Sequence, residues 1–584
     1  MSRTTRLAAA LAAFVAMPAA AGAACSVQKV AELPVTMADG YRPMVNARIN
    51  GVETRFIADS GAFYSLISPG VAAANGLKLH AAPPGFRLGG IGGGTSASLA
   101  TVKEFTLAGV PIKDVQFLVG GTDTGTAGLI GQNVLGLADV EYDLPHGAIR
   151  LFRSHDCGDS SLAYWAAKDG IYWTIKIVPL RTAGFHTVGT VVVNGQKMRA
   201  LFDTGVERTM LTRKAAERAG VKPGDPGVER AGFSRGLGRE ISNAWSAPFA
   251  SVKIGEEEIH NVRLGIADTE LGDNDMLLGS DFFISHRVYV DNASDRIFFS
   301  YTGGKIFGIA ARREGEGIAA APVAATEAEP QDAEGYSRRG AIFLAQRDFA
   351  HAIEDFTHAI ALAPKETRFL LQRAEAYMRS GRRALGAADL NRAVDSDPAN
   401  VPARIHRAQL RLSIGEREAA LADADAAAKA VVGPVNDRVA IARLYSALEA
   451  YDGAIGQLDP WIAAHPEDAT LPAALNARCW ARAQLGRELD KALSDCNAAL
   501  RRAARPATVL DSRGLVRLRM GDYDKAIEDY DAALKADPKI AWSLYGRGLA
   551  RRHKGLTAEA DADLKAAAAL APDLAERAKK AGID

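Results

Sequence analysis

Residues 59–68 and 203–212 of this 584-residue chain repeat one pattern. Asp59-Ser60-Gly61 and Asp203-Thr204-Gly205 each follow an apolar run, Thr54 to Ala58 and Met198 to Phe202. Each leads into a tail of Ser/Thr, two apolar residues and Ser/Thr. Upstream, Asn50-Gly51 and Asn194-Gly195 close further apolar runs, the signal of a two-residue type I′ hairpin. The Asn-Gly pairs and the aspartates both stand 144 residues apart. Downstream, Leu129-Ile130-Gly131-Gln132 answers Leu277-Leu278-Gly279-Ser280, and Tyr142-Asp143 answers Val290-Asp291, now 148 apart. Two collinear copies with one small length change predict two homologous β-rich lobes.

A single Asp-Ser/Thr-Gly is weak evidence, because short motifs recur by chance. The chain holds its own control in Asp123-Thr124-Gly125, which follows Gly120-Gly121-Thr122 instead of an apolar strand and lacks the tail. That copy reads as a loop. The paired motifs share strand, tail, turn and downstream glycine, and over residues 30–302 they resemble the retropepsin-like aspartic peptidases. Retroviral enzymes of that kind build their site from two identical chains, whereas this chain carries both halves in tandem, as pepsin does. The resemblance implies an all-β, bilobal acid-protease region with lobes at 24–160 and 161–302, acting as a monomer. It implies Asp59 and Asp203 as the catalytic pair and Ser60, Gly61, Thr204 and Gly205 as supports of the active-site loops. It also implies a flap at Leu88–Gly94 with Gly90, Ile91 and Gly92 at its tip. Gly232–Gly238, the equivalent place in the second lobe, has fewer glycines and more charge, so one working flap is expected. Departures from the family pattern are Val206 where Ala is usual, Ala58 where a bulkier residue is common, and Gln132 and Ser280 where retroviral enzymes have Arg.

The chemistry such a pair supplies needs no metal and no covalent intermediate. Two adjoining carboxyls sharing one proton can take a proton from water and polarise a peptide carbonyl at once. Like charges at that range do not both ionise cheaply, so the pair titrates as a unit. Competing motifs are weaker. Gly232-Phe233-Ser234-Arg235-Gly236 has the letters of a nucleophile elbow without its strand-to-helix context. The glycines at 89–94 lack the Lys-Ser/Thr of a phosphate loop. His351 and His358 lie seven apart on an expected helix, and Asp423 and Asp425 lack the glycine and closing Glu of a calcium loop. Neither metal nor cofactor is expected.

After residue 302 the composition changes. Residues 303–332, rich in Ala, Glu, Gly and Pro, read as a flexible linker. From 333 a 34-residue period begins with Gly340, Phe343, Ala352, Phe356, Ala359 and Pro364, and Pro398, Pro466, Pro538 and Pro572 continue it. This resembles tetratricopeptide repeats, which implies an all-α solenoid of about seven helix pairs over 333–584 and a protein partner in its groove.

The N-terminus orders Arg3 and Arg6, an apolar stretch from Leu7 to about Met17, and small residues to Ala23, as a signal peptide does (1–23). No other segment reaches the roughly 18–20 apolar residues of a spanning helix, so no transmembrane segment is expected. Export to a periplasmic or extracellular space follows, with a lipid anchor at Cys25 as the less favoured alternative. Four cysteines in an oxidising compartment allow three pairings. Cys25 and Cys157 bracket the first lobe, and Cys479 and Cys496 fall on two helices of one repeat, so 25–157 and 479–496 are favoured. Seventy basic against sixty-nine acidic residues leave no nucleic-acid footprint. The sequence thus reads as an exported aspartic endopeptidase that acts on proteins or peptides and recruits substrate or partner through its repeats. The rival is a catalytically silent peptide-binding module of the envelope.

Overall fold

In a computed structural model, the described residues are 25–38, 41–83, 86, 88–166, 170–178, 186–238, 240–303, 305–307, 309–310, 329–503 and 506–583. The expected signal peptide and much of the expected linker lie outside them. The chain divides into two compact units after Asp397.

The first unit opens with the two β-rich lobes. Arg42–Ile49 and Val52–Ala58 pair antiparallel around Asn50-Gly51, and Val188–Val193 and Gln196–Phe202 pair around Asn194-Gly195. All four turn residues have positive φ (51°, 85°, 47° and 79°), as a type I′ turn demands. A third strand then runs parallel to the second of each hairpin. Gly128–Ile130 lies beside Val52–Ala58, and Met276–Leu278 beside Gln196–Phe202. Both aspartates sit where the hairpin strand ends. Asp59 N–H donates to Ile130 O and Asp203 N–H to Leu278 O, each at 2.9 Å.

What joins the lobes is a shared sheet. Asp139–Asp143 of the first lobe pairs antiparallel with His286–Asp291 of the second, and Glu141 lies opposite Tyr289, its own counterpart 148 residues on. An antiparallel pair made from two copies of one strand has a local twofold axis through that point. The long strand Ser26–Ala38 pairs first with Ala148–His155 and then with Arg42–Ile49. It thereby makes the first lobe and the shared layer one 13-stranded sheet, beside the second lobe's seven strands. A disulfide between Cys25 and Cys157 closes the outer end of that strand pair.

Sequence reading places the repeats apart from the lobes, beyond a linker. The structure draws the first two helix pairs, Ala333–Ala345 with Phe349–Leu362 and Thr367–Arg379 with Arg383–Ser396, into the first unit. The reason is apolar packing. Ala341, Ile342, Leu344 and Phe356 are buried in the same core cluster as Leu33, Val35 and Leu144.

The second unit holds five further pairs, starting with Val401–Ser413 and Arg417–Ala430, and ends on the short helix Leu574–Lys580. Its third pair, Leu471–Leu485 and Leu489–Leu500, which is the fifth of the array, carries the Cys479–Cys496 disulfide. Inside six of the seven helix pairs among the described residues an arginine of the first helix clamps a buried aspartate of the second. These are Arg339–Asp355, Arg373–Asp389, Arg407–Asp423, Arg478–Asp495, Arg513–Asp529 and Arg547–Asp563, at 2.6 to 2.9 Å. A guanidinium fork matches a carboxylate in two parallel hydrogen bonds, which suits a site that both must share. In the remaining pair Arg438 meets Gln457 instead.

Candidate active site

The two aspartates lie side by side at the lobe boundary, Asp203 buried and Asp59 partly exposed. Their carboxyls share a hydrogen bond. Beneath them the loops are cross-linked. Ser60 N–H donates to Thr204 Oγ1 (3.0 Å), and Thr204 N–H donates to Ser60 Oγ (2.9 Å). Each hydroxyl then donates across the boundary, Ser60 Oγ to Phe202 O and Thr204 Oγ1 to Ala58 O, both at 2.7 Å. Every polar atom of the two hydroxyls that the loops need is engaged.

Gly61 and Gly205 permit this closeness. A Cβ on Gly61 would stand 2.2 Å from Asp203 Cγ, and one on Gly205 would stand 2.3 Å from Asp59 Cγ. Their N–H groups point inward, Gly61 and Ala62 donating to Asp59 Oδ1 and Gly205 to Asp203 Oδ1, all at 2.9 Å. Val206 N–H also reaches the Asp203 carboxyl, so the Val-for-Ala departure keeps the donor that Ala62 supplies. Its side chain packs against the cluster that includes Met210 and Leu277.

Burial pushes the Asp59 carboxyl above its ordinary range, against the lowering effect of the Asp203 hydrogen bond and the two N–H groups. Asp203 is raised well above, by burial first and by the charge of Asp59 second. One proton shared between the two carboxyls is the arrangement these causes favour.

A second ring of contacts was only partly legible. Gln132 Nε2 donates to Ser60 O (2.9 Å) and Ser280 Oγ to Thr204 O (2.7 Å), so both of these residues brace the loops. Asn133 Oδ1 accepts from Ser65 N–H and Oγ–H (2.7 and 2.8 Å), and Asp281 Oδ1 accepts from Thr209 in the same way (2.9 and 2.7 Å). Sequence reading aligns Asn133 with Asp281 at the 148-residue offset but gives neither a role. Burial lifts Asp281 to about 6, against the lowering effect of the Thr209 bonds.

The expected single flap is corrected. Leu88–Gly90 and Gly93–Thr95 form the first hairpin, and Glu229–Arg235 with Ile241–Ile254 form a second at the place read as glycine-poor. The tips are Gly90-Ile91-Gly92 and Gly236-Leu237-Gly238, 146 residues apart, between the two offsets of the duplication. That signal was in the sequence, hidden by the charged residues around the second tip.

The two tips meet and cross. Glu240 N–H donates to Gly92 O (2.8 Å), and a Cβ on Gly92 would come within 2.6 Å of Gly238 O. Ile91 packs among Val188, Leu201 and Met210 of the second lobe, and Leu237 among Ile57, Leu66 and Leu88 of the first. A threonine of the opposite lobe holds each. Thr122 N–H donates to Leu237 O (2.9 Å), and Thr269 Oγ1 to Ile91 O (3.1 Å). The third Asp-Thr-Gly stays a loop, with Gly125 N–H donating to Asp123 Oδ1, and Ser234 lies in the second hairpin's strand.

An aspartyl protease family model matches residues 45–134 and 189–282, one stretch in each lobe, and a TPR repeat model matches 514–555. No curated protein matches the chain. Among solved structures, a tetratricopeptide repeat protein from Parabacteroides merdae is 17% identical, over 43% of this chain and 100% of its own, at a TM-score of 0.31. The Cut9–Hcn1 hetero-tetramer of APC/C is 17% identical over 43% of this chain and 50% of its own, also at 0.31. YrrB, described as a TPR protein with an unusual peptide-binding site, is 18% identical over 39% and 100%, at 0.23.

Proposed function

From an N-terminal region that is retropepsin-like in both lobes and a C-terminal region of tetratricopeptide repeats, we propose that this chain is an exported aspartic endopeptidase. Asp59 and Asp203 activate water, and the repeats recruit a protein substrate or partner. The observation that carries the reading is the carboxyl pair itself, sharing a hydrogen bond on loops cross-linked by Ser60 and Thr204.

In the proposed reaction the Asp59 carboxylate takes a proton from water as the water oxygen attacks the peptide carbonyl carbon. Asp203 gives its proton to the carbonyl oxygen, and a neutral tetrahedral diol forms. The diol then collapses. One hydroxyl proton returns to Asp203, Asp59 passes its proton to the leaving nitrogen, and an acid and an amine depart. The N–H groups of Gly61, Ala62 and Gly205 steady the charge on the carboxyls throughout. Hairpins that close over an extended peptide would exclude bulk water and add backbone hydrogen bonds.

Two disulfides are consistent with a compartment outside the cytoplasm, and no helix among the described residues is long and apolar enough to cross a membrane. A second reading, peptide binding without turnover, draws on the crossed tips, where Ile91 and Leu237 already fill apolar space beside the catalytic loops. Digestion of a diverse peptide library by the purified protein from acidic to neutral pH separates the two. Cut peptides support the endopeptidase, whereas retained but intact peptides support the binding module.

A further inference from the structure

The duplication makes the centre of the cleft symmetric, yet it leaves the two ends unlike. Four residues after each aspartate stand Phe63 and Glu207, 144 apart. They are structural counterparts, since Asn133 N–H donates to Phe63 O (3.0 Å) and Asp281 N–H donates to Glu207 O (3.2 Å). A second pair of counterparts, Arg42 and His186, is also 144 apart. Each stands two residues before the strand pairs Met44↔Ile57 and Val188↔Leu201, opposite its own lobe's aspartate in register.

Both reach across to the other lobe. Arg42 Nε donates to Glu207 Oε1 at 3.0 Å, and its Nη1 donates to Thr124 O at 3.1 Å. His186 instead packs edge-on to Phe63, with ring centroids 5.8 Å apart, and reaches the backbone of Gly61. The aromatic end extends further, Phe63 onto Tyr64 (4.4 Å) and Tyr64 onto Phe86 (6.0 Å) at the base of the first hairpin. An ion pair at one end has thus been replaced by an aromatic cluster at the other.

Physical chemistry gives the two ends different tastes. Burial lowers the His186 pKa, against the raising effect of the Gly61 backbone, and so disfavours a charged ring beside Phe63. An uncharged, ring-lined wall with Tyr64 exposed favours a large apolar or aromatic side chain. At the other end Glu207 keeps 40% of its side-chain surface, so its carboxylate can still accept from a donor. A cleft whose ends were identical would take a peptide in either direction, and this one has the means to choose.

We propose that the cleft is directional: its Phe63–Tyr64–Phe86–His186 end takes an aromatic or large apolar side chain of the peptide, and its Arg42–Glu207 end takes a side chain that donates hydrogen bonds, basic ones above all. The proposal rests on the endopeptidase reading for the cleft's use but not for its chemistry, so it is tested by binding as well as by cleavage.

Full-length protein and the two variants Glu207→Gln and Phe63→Glu/His186→Arg are profiled on one peptide library. Cleavage is scored directly, and retention is scored in an Asp203→Asn background. Glu207→Gln, which keeps shape and removes charge, is expected to reduce the preference for Lys or Arg at one position about tenfold, the size of a lost specific contact. Phe63→Glu/His186→Arg is expected to exchange the aromatic preference at the opposite position for a basic one. Unchanged profiles in the soluble, folded Glu207→Gln protein overturn the proposal, as does a wild-type profile identical when read from either end. If no peptide is cut but retention is directional and shifts as stated, the endopeptidase reading fails and the directional cleft stands.

Discussion

Ser60 and Thr204 exchange hydrogen bonds across the lobe boundary, each backbone N–H donating to the other's hydroxyl at 3.0 and 2.9 Å. Both side chains are buried, and each hydroxyl also serves a carbonyl of the opposite lobe. Ser60→Ala therefore strands Thr204 N–H and Phe202 O at once. A buried group left without a partner costs about 1–3 kcal/mol, so thermal unfolding of the variant should come several degrees earlier. Thr204→Ser, which keeps the hydroxyl, should lose less, and equal losses from the two would contradict the exchange.

Gly61→Ala and Gly205→Ala test how closely the carboxyls must lie. The added Cβ would sit 2.2 or 2.3 Å from the facing carboxyl carbon, which must move by more than an ångström. Displacement of that size costs about 100-fold in rate. Peptide cleavage should fall by that order while far-UV circular dichroism stays that of the wild type.

Asp281 makes stability depend on pH. Burial first, opposed by the Thr209 hydrogen bonds, places its folded pKa at about 6 against 3.8 for the ordinary carboxyl. A raised folded value means that its contribution is complete below the ordinary pKa and is lost as pH rises through about 6. Asn133 does the same work in the first lobe without a charge. Asp281→Asn should thus leave the melting temperature unchanged near pH 3.5 and raise it at pH 7.5, by up to about 3 kcal/mol of stability. A variant less stable than wild type at pH 7.5 would contradict the assignment.

The repeats offer a test independent of catalysis. Asp529 is buried and accepts from Arg513 through both oxygens, with Arg517 at 2.8 Å. Removing one partner of a buried ion pair costs about 3–5 kcal/mol, because the other charge is left without compensation. Asp529→Ala should destabilise the array accordingly, read as faster hydrogen exchange over 507–536. Exchange unaltered there would show that the clamp carries little of the repeat's stability.

How far the sequence revealed all this depended on the kind of signal. The duplication was legible because strands, Asn-Gly turns and the Asp-Ser/Thr-Gly loops are local patterns, and local patterns survive copying. The helix pairs were legible through small residues and prolines at a fixed period. The second hairpin was not, because Glu229, Arg230, Arg235 and Glu240 mask a Gly-Leu-Gly tip whose meaning comes from meeting Gly92 in space. The Arg–Asp clamps escaped notice for a related reason. Sixteen or seventeen residues separate the partners, a spacing that matters only once two helices lie antiparallel. The packing of the first helix pair into the lobes' core was equally beyond reach, since Ile342 and Leu344 look in sequence like any interior helix residues. The unlike cleft ends needed the register of two hairpins before Arg42 and His186 could be recognised as counterparts.

The central claim is that one dyad built from both lobes does the chemistry. Its most direct measurement is the initial rate of cleavage of a single fluorogenic peptide by wild type, Asp59→Asn and Asp203→Asn, with folding of each verified by thermal unfolding. The account predicts cleavage by the wild type and its loss, by at least about 1,000-fold, in both variants alike. Full activity in either folded variant, or cleavage that depends on only one of the two aspartates, would contradict it.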